Sequence, residues 1–474
     1  MNSKKNENQL EVKNPYTGAT LNLLEFDSPD SIQKTLDSST QAFQKWRKST
    51  AWNRSQLLKN IANQLQNQKK EFSELICAEA GKPISLARVE VDRAIAVLDW
   101  AAGEAVRFSG ELLRLDASSS GKRGFGIHTR FPRGIIFGIT PYNFPLNLMV
   151  HKVAPAIASG CSILIKPSPF APLTALKLAK LFEAAEPGLV QVLLTNDENT
   201  AKLTQSPAIS MISFTGSAKV GWMIRRQAPE KPTTLELGGN AWVIVGEDVK
   251  ESDFEKIAAK IGKGAFNYAG QSCISVQNVA VMSSAWDLFS SFLKNVTVST
   301  PFGDPGLEPV VSGPQIHELA ATKARDYINS LEQAHSIIQS SQLKGQKSNA
   351  LVAPTLVIPE PNRPWSPSTQ ALVQEEIFAP VMVAHRYDDV SKIISTINSS
   401  RYGLQTGVFT NNWSLIDELY HELNVGGLVV NDVPTTRYDH QPYGGIKESG
   451  HGREGIRYAM EEMTESKFLA LTNL

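Results

Sequence analysis

The sequence predicts an α/β protein of two or three domains with largely parallel sheets. Two observations lead there. From residue 134 to residue 410, short apolar runs alternate with helix-length amphipathic stretches, the pattern of successive βαβ units. A chain of 474 residues is also too long for one core.

Taken in order, residues 31–105 read as helices with charged outer faces. Ile32, Leu36 and Ala42 to Trp46 begin the pattern, and Leu57, Leu58, Ile61 and Leu65 continue it at helical spacing. Residues 111–116 and 124–131 flank Ser118-Ser119-Ser120-Gly121, a hairpin with a polar loop. The alternation follows, with strands at 134–140, 162–166, 190–195, 209–214 and 234–237. Helices lie between them at 146–159, 172–186, 199–205 and 218–227, with Pro172 near the start of its helix. A second round has strands at 241–245, 277–282, 353–357, 381–387 and 407–410, and helices at 252–267, 284–295, 318–334 and 389–398. Pro- and Gly-rich loops at 300–317 and 358–370 interrupt it. Residues 463–474 form an extended tail, disordered unless a neighbour pairs with it.

Composition narrows the partners. Hydrophobic residues make up 42% and charged residues 20%, ordinary for a soluble globular protein. Lys+Arg and Asp+Glu are equal at 47 each, which gives no electrostatic reason to expect nucleic acid or an anionic membrane. Residues 1–9 are polar and lack the apolar core of a signal peptide. The longest apolar stretches, near 134–140 and 153–165, are cut by Pro, Ser and Gly, and neither could span a bilayer. Three cysteines, Cys77, Cys161 and Cys273, argue for a reducing, cytoplasmic setting without a disulfide framework. Their spacing has nothing of a zinc site, and no metal is expected.

Seven motifs carry candidate chemistry. Cys273 lies in Gly270-Gln271-Ser272-Cys273, between a helix and a strand. A lone cysteine is most often a small buried hydrophobe, but backbone N–H groups at such a turn lower a thiol pKa and hold an oxyanion. Glu236 sits inside the apolar run Leu235–Leu237, before Gly238-Gly239-Asn240. It is either a buried partner for an amide or lysine, or a general base of raised pKa. In Thr140-Pro141-Tyr142-Asn143-Phe144-Pro145, Asn143 is either a turn residue or a fixed amide donor. Lys166, in Lys166-Pro167-Ser168, ends a buried strand where the crevice of a parallel sheet lies, placed for a ribose or phosphate. Phe214-Thr215-Gly216-Ser217 precedes a helix N-terminus suited to a pyrophosphate, although the chain has no G-x-G-x-x-G. Of the pair Glu375-Glu376, before Ile377-Phe378-Ala379-Pro380, one could reach a ribose hydroxyl. The segment 442–455 holds five glycines in fourteen residues and reads as a structural brace for the pocket.

In this order and spacing, the seven motifs together resemble the NAD(P)-dependent aldehyde dehydrogenase superfamily, from Asn14-Pro15-Tyr16-Thr17-Gly18 to Arg453-Glu454-Gly455. Asn147 to Lys152, Cys273 to Gln277, and Asn431 to Thr435 with Asp439-His440 look closest to its lactaldehyde dehydrogenase-like and non-phosphorylating glyceraldehyde-3-phosphate dehydrogenase-like branches. The resemblance implies oxidation of an aldehyde to a carboxylic acid. In it, Cys273 is the nucleophile that forms a thiohemiacetal and then a thioester. Asn143 and the Cys273 N–H hold the oxyanion, and Glu236 activates water. Lys152 matches a lysine near the catalytic site that helps move protons. The cofactor set implied is Thr140, Pro141, Lys166, Ser168, Phe214, Gly216, Ser217, Gly238, Glu376 and Phe378.

Several departures bear on specificity. Many NAD-preferring relatives carry a carboxylate where this chain has Pro169, so a 2′-phosphate is not repelled and NADP as well as NAD is expected as cofactor. Lys219, where a glutamate is common, also favours an anionic cofactor end. His151 and Arg437 either project toward the substrate entrance, favouring an anionic or hydroxylated small aldehyde, or are structural. A CoA-acylating dehydrogenase would not need Glu236, and a non-catalytic protein on this fold could lose Cys273, Asn143 or Glu236. The implied organisation is a Rossmann-type cofactor domain at 1–112 and 134–238, and an α/β catalytic domain at 239–442. A brace spans 443–459, and a small β oligomerisation element, 113–133 with 460–474, would join subunits into a homodimer or homotetramer by strand addition.

Overall fold

The computed structural model describes residues 8–331, 335–341, 347–360 and 367–472. After the hairpin Gln9–Lys13 and Thr20–Glu25 come four helices, Pro29–Trp46, Ala51–Asn67, Lys69–Ala80 and Ile84–Arg107. Ser28 and Thr50 cap the first two with side-chain oxygens. Leu57, Leu58, Ile61 and Leu65 are buried on one face, as their spacing predicts.

The first large sheet has the order Gly450–His451, Thr233–Glu236, Ile209–Thr215, Ile135–Ile139, Ser162–Lys166, Val190–Val192. All its neighbours are parallel except the edge strand Gly450–His451. The chain enters at Ile135–Ile139, builds outward to Val190–Val192, then returns to the other side at Ile209–Thr215. Connections therefore diverge at the carboxyl ends of Ile135–Ile139 and Ile209–Thr215, and a crevice opens there. The chain passes to the second sheet between Glu236 and Ala241. That sheet runs His335–Gln339, Thr355–Pro359, Val381–Tyr387, Val276–Met282, Ala241–Val245, Gln405–Phe409, Gly427–Val430, parallel except at His335–Gln339. Its central strands Ala241–Val245 and Val276–Met282 are almost wholly buried because helices cover both faces.

Several elements differ from expectation. The strands His335–Gln339 and Gly427–Val430 and the helices Trp413–Glu422 and Ile456–Glu462 were not foreseen. The loop expected at 358–370 contains the start of a helix, Pro367–Gln374, because proline at a first helical position lacks only an N–H with no helical partner. Residues 361–366 of that loop lie outside the described residues. The helix expected to reach 334 ends as Glu318–Asn329; residues 332–334 lie outside the described set, as do 1–7, 342–346 and 473–474. Ile456–Glu462 straddles the expected boundary at 459/460.

The tail is not loose. Thr464–Thr472 pairs antiparallel with Gly124–Pro132 of its own chain, from Thr464 opposite Pro132 to Thr472 opposite Gly124. Glu111–Arg114 completes a three-stranded sheet. Phe125, Phe131, Phe468, Leu469 and Leu471 on this sheet are exposed.

Candidate active site

The turn that precedes Cys273 is built by strain. The helix Phe254–Phe266 runs into three successive left-handed residues, Tyr268 (φ 52°), Ala269 (φ 54°) and Gly270 (φ 68°). A non-glycine residue held there costs about 1–3 kcal/mol unless its surroundings enforce it. Gln271, fully buried, does so: its Nε2 donates to Tyr268 O (3.2 Å) and Pro314 O (3.1 Å), and its Oε1 accepts from Ile316 N (3.0 Å). Tyr268 Oη donates to Ala80 O (2.8 Å) and Gln315 Nε2 to Ala269 O (3.0 Å). A Cβ on Gly270 would collide with the Ala379 carbonyl, so the position requires glycine.

Cys273 follows this turn on the wall of a cavity of about 650 Å³. Glu236, at the end of Thr233–Glu236, lines the same cavity, as does Asn143. Asn143 Nδ2 donates to the Gln271 carbonyl (2.9 Å), which fixes the amide with its nitrogen toward the turn and leaves one N–H of that group uncommitted. Among the described residues, neither carboxylate oxygen of buried Glu236 has a hydrogen-bond partner. Burial, reinforced by the negative charge of Glu454, holds its pKa well above the usual carboxylate range, against the attraction of Arg437, Lys152 and Arg453. The thiol expectation is reversed. Burial pushes Cys273 up to about 12, with Tyr443 and Arg437 acting in the other direction. The neighbouring N–H groups of Ile274 and Ser275 are spent on Ser272 rather than on the sulfur.

Lys152 is off the cavity wall. Its Nζ donates to Ser213 Oγ (3.1 Å), Thr215 Oγ1 (2.8 Å) and Glu454 Oε1 (2.9 Å). Burial opposes ionisation of Glu454, but Lys152, Arg437 and His151 outweigh it and hold that carboxylate well below its ordinary value. Arg437 does line the cavity. It pairs with Glu454 Oε2 (3.3 Å) and lies 3.7 Å over the Tyr443 ring. His151 does not reach the substrate entrance: it is buried, with Nε2 on Asp439 Oδ1 (2.9 Å). Burial, with Arg437 nearby, lowers it to about 4, so it is neutral at pH 7. Of the two alternatives for His151 this is the structural one, with the ring held by Asp439, which is also bound to Arg93 Nη2 at 2.6 Å.

The cofactor candidates divide. Pro141, Gly216, Ser217, Gly238, Glu376 and Phe378 line the cavity. Thr140, Lys166, Ser168 and Phe214 do not. The Thr140 N–H donates to the Lys166 carbonyl (3.1 Å), and Ser168 Oγ accepts from Phe170 N (3.3 Å). Lys166 is half-buried at its strand end, and burial lowers its pKa. Phe214 is core beneath the crevice: a Cβ on Gly216 would come within 2.7 Å of its ring.

These residues fit a dinucleotide. Gly216 and Gly238 bring backbone close to the crevice, where a Cβ would come within 2.7 Å of the Phe214 ring and 2.6 Å of Glu376 Oε2 respectively. Ser217 starts the helix Ala218–Gln227 without a side-chain capping bond, which leaves its first N–H groups for an anion. Glu376 offers a carboxylate for hydroxyls; burial raises it to about 7, while its Oε1 accepts from Gly239 N (3.1 Å).

The brace expected at 442–455 also contributes to the site. Tyr443 lines the cavity beside Cys273, and Glu454 joins Lys152 to Arg437. Arg93 and Lys263, at the same cavity, were likewise unforeseen. The available signal for Glu454 was a carboxylate between Arg453 and Gly455 in a segment otherwise built for close packing.

A crevice at the divergence of a parallel sheet, opening onto a thiol, an amide and an unpaired carboxylate, defines an NAD(P)-dependent oxidoreductase that acts on aldehydes. The profile of the aldehyde dehydrogenase family matches residues 2–469, and the chain belongs to that family. It is 34% identical over 466 residues to the 3-sulfolactaldehyde dehydrogenase of Priestia aryabhattai, covering 98% of this chain and 95% of the relative. With the lactaldehyde dehydrogenase of Methanococcus maripaludis it is 32% identical over 475 residues, covering 98% and 97%. It superposes on the NADP-complexed glyceraldehyde-3-phosphate dehydrogenase GapN of Methanocaldococcus jannaschii with a TM-score of 0.89 at 33% identity, over 99% of this chain and 100% of that one. Among the described residues no helix is long and apolar enough to cross a membrane.

Proposed function

We propose that Cys273 is the nucleophile, Asn143 the side-chain donor to the oxyanion and Glu236 the base, in the oxidation of a small anionic aldehyde to its acid. The observation that carries this reading is that all three line one cavity, with Glu236 unpaired and held at a raised pKa. With its proton passed to solvent water, the Cys273 thiolate forms a C–S bond to the carbonyl carbon, whose π electrons move to oxygen, facing the Asn143 N–H and the Cys273 N–H. When bound, NAD or NADP accepts the hydride from that carbon. Glu236 then takes a proton from water, the hydroxyl attacks the thioester, and the sulfur leaves as thiolate. Lys152 and Glu454, coupled electrostatically to Glu236, are assigned to the onward movement of that proton.

For the cofactor, Ser217 and its helix end would hold the pyrophosphate and Glu376, with Lys166, the ribose hydroxyls. Pro169 in place of a carboxylate, and exposed Lys219, favour a 2′-phosphate at this end of the cofactor. The substrate side carries Arg437, Arg93 and exposed Lys263 beside apolar Leu86, Val89 and Ile274. That set suits a short aldehyde bearing an anionic group, and the sulfonate and phosphate in the relatives' names agree with it.

An aldehyde panel with NAD and NADP in parallel, followed by absorbance of the reduced cofactor, tests this. Anionic aldehydes should exceed neutral ones of equal size in kcat/KM by roughly tenfold or more, and Lys263→Met should raise KM only for the anionic ones. NADP should be used at least as well as NAD. Equal efficiency with charged and neutral aldehydes sinks the substrate class, and a strong NAD preference sinks the cofactor assignment.

Assembly is proposed through the surface sheet. The edge strand Thr464–Thr472 and the exposed Phe468, Leu469 and Leu471 suit strand addition between subunits of a homodimer or homotetramer. Light scattering should give a dimer or tetramer, with Phe468→Asp shifted toward monomer; a monomeric parent protein rules this out. Three free cysteines, without a disulfide, suit the cytoplasm.

A further inference from the structure

We propose that Tyr443 is the group that holds the ionised nucleophile, donating its phenolic proton to Cys273 Sγ, and that Arg437 on the ring face strengthens this donation. The Tyr443 hydroxyl lies 3.6 Å from Sγ. In the neutral pair either atom could donate. Once the sulfur is a thiolate only the phenol has a proton to give, so the bond is stronger in the charged state and favours it. The ring is rigidly placed. Tyr443 N–H donates to Glu454 O (3.0 Å) and Glu454 N–H to Tyr443 O (2.7 Å), a reciprocal bridge, and the side chain packs with Ile274, Leu404 and Cys273. The Arg437 guanidinium sits 3.7 Å from the ring centroid, anchored by Glu454. A cation over the face draws charge from the ring and makes the hydroxyl a better donor.

Other charges facing the sulfur are Glu236, at the end of Thr233–Glu236, and Glu376, after Pro367–Gln374; both oppose ionisation. Lys152, Arg453 and Glu454 act one step further, on Glu236. Tyr443 and Arg437 are thus the groups set against burial and two carboxylates.

The proposal rests on Cys273 as the nucleophile. Its test is the pH dependence of iodoacetamide alkylation of Cys273, read by peptide mass on the full-length protein. Tyr443→Phe should alkylate on the order of tenfold more slowly at neutral pH, with the midpoint raised by about one unit, the scale of one hydrogen bond to a charged atom. Cofactor Kd should be unchanged. Arg437→Gln is the second variant, informative even if the first fails to fold, and should move the midpoint the same way. A midpoint unmoved in either variant overturns the proposal. Parent protein alkylated at Cys273 separates the two readings: loss of turnover there, with coincident profiles, sinks Tyr443 alone, whereas retained turnover sinks the nucleophile.

Discussion

A Cys273→Ala variant forms reduced cofactor at a rate lower by on the order of 10⁴-fold or more, yet binds NAD and NADP as the parent does. The size of the loss follows from the chemistry, since without a covalent acyl intermediate neither thiohemiacetal nor thioester exists and Glu236 has nothing to deacylate. Retained cofactor binding follows from the geometry. The crevice is built from Gly216, Ser217, Gly238 and Glu376, on elements other than the Tyr268–Gly270 turn. Replacing a thiol by a methyl leaves the Gln271 contacts intact, so the fold is not at risk. Steady-state absorbance and equilibrium titration check both halves. Turnover within tenfold of the parent would remove Cys273 from the mechanism.

Glu236→Gln lowers kcat roughly 10²- to 10⁴-fold while the first turnover still releases reduced cofactor as a burst. The amide fills the same space but takes no proton from water, so acylation proceeds and hydrolysis stalls. In the parent, kcat falls as pH drops through the raised pKa of Glu236, because the base works only when ionised; the variant lacks that limb. Stability moves the opposite way. Below about pH 4, near the ordinary glutamate value, the residue is protonated folded or unfolded and costs nothing. As pH rises toward its raised folded value, the unfolded chain ionises more readily, and Glu236 subtracts stability. Glu236→Gln therefore has the higher Tm at mildly alkaline pH, an advantage that shrinks toward about pH 4. Equal loss of burst and steady-state rates would show that Glu236 acts before deacylation, and an unchanged Tm difference across this range would count against its buried charge.

The residues that announced themselves in the sequence did so through local chemistry. A carboxylate within Leu235–Leu237 is costly to bury, and Asn143 between prolines and Cys273 after glycine lie on turns that point side chains somewhere definite. The parallel sheets were legible from apolar runs at βαβ spacing. What stayed hidden depends on distant pairing. Gly450–His451 joins the first sheet through two residues, too few for any period, and it is this strand that lies against Leu235 and Glu236. Glycine density in 442–455 announced tight turns but not that Tyr443 would meet Cys273. In Trp413–Glu422 the large apolar residues Trp413 and Tyr420 face outward and Leu419 inward, so the pattern misstates the buried face. His151 stayed open between the substrate entrance and a structural role because the partner that decides it, Asp439, is remote in sequence.

The route of residues 443–472 has a consequence for the order of folding. Tyr443 completes a cavity whose other lining residues fall between 82 and 437, Glu454 and the edge strand Gly450–His451 pack behind it against Arg437 and Glu236, and the chain then closes the surface sheet with Thr464–Thr472. A chain folded only through Cys273 carries its thiol and Glu236 without the tyrosine, the arginine or the edge strand that frame them. The thiol and Glu236 thus reach their full surroundings only once residues 443–454 have folded onto them.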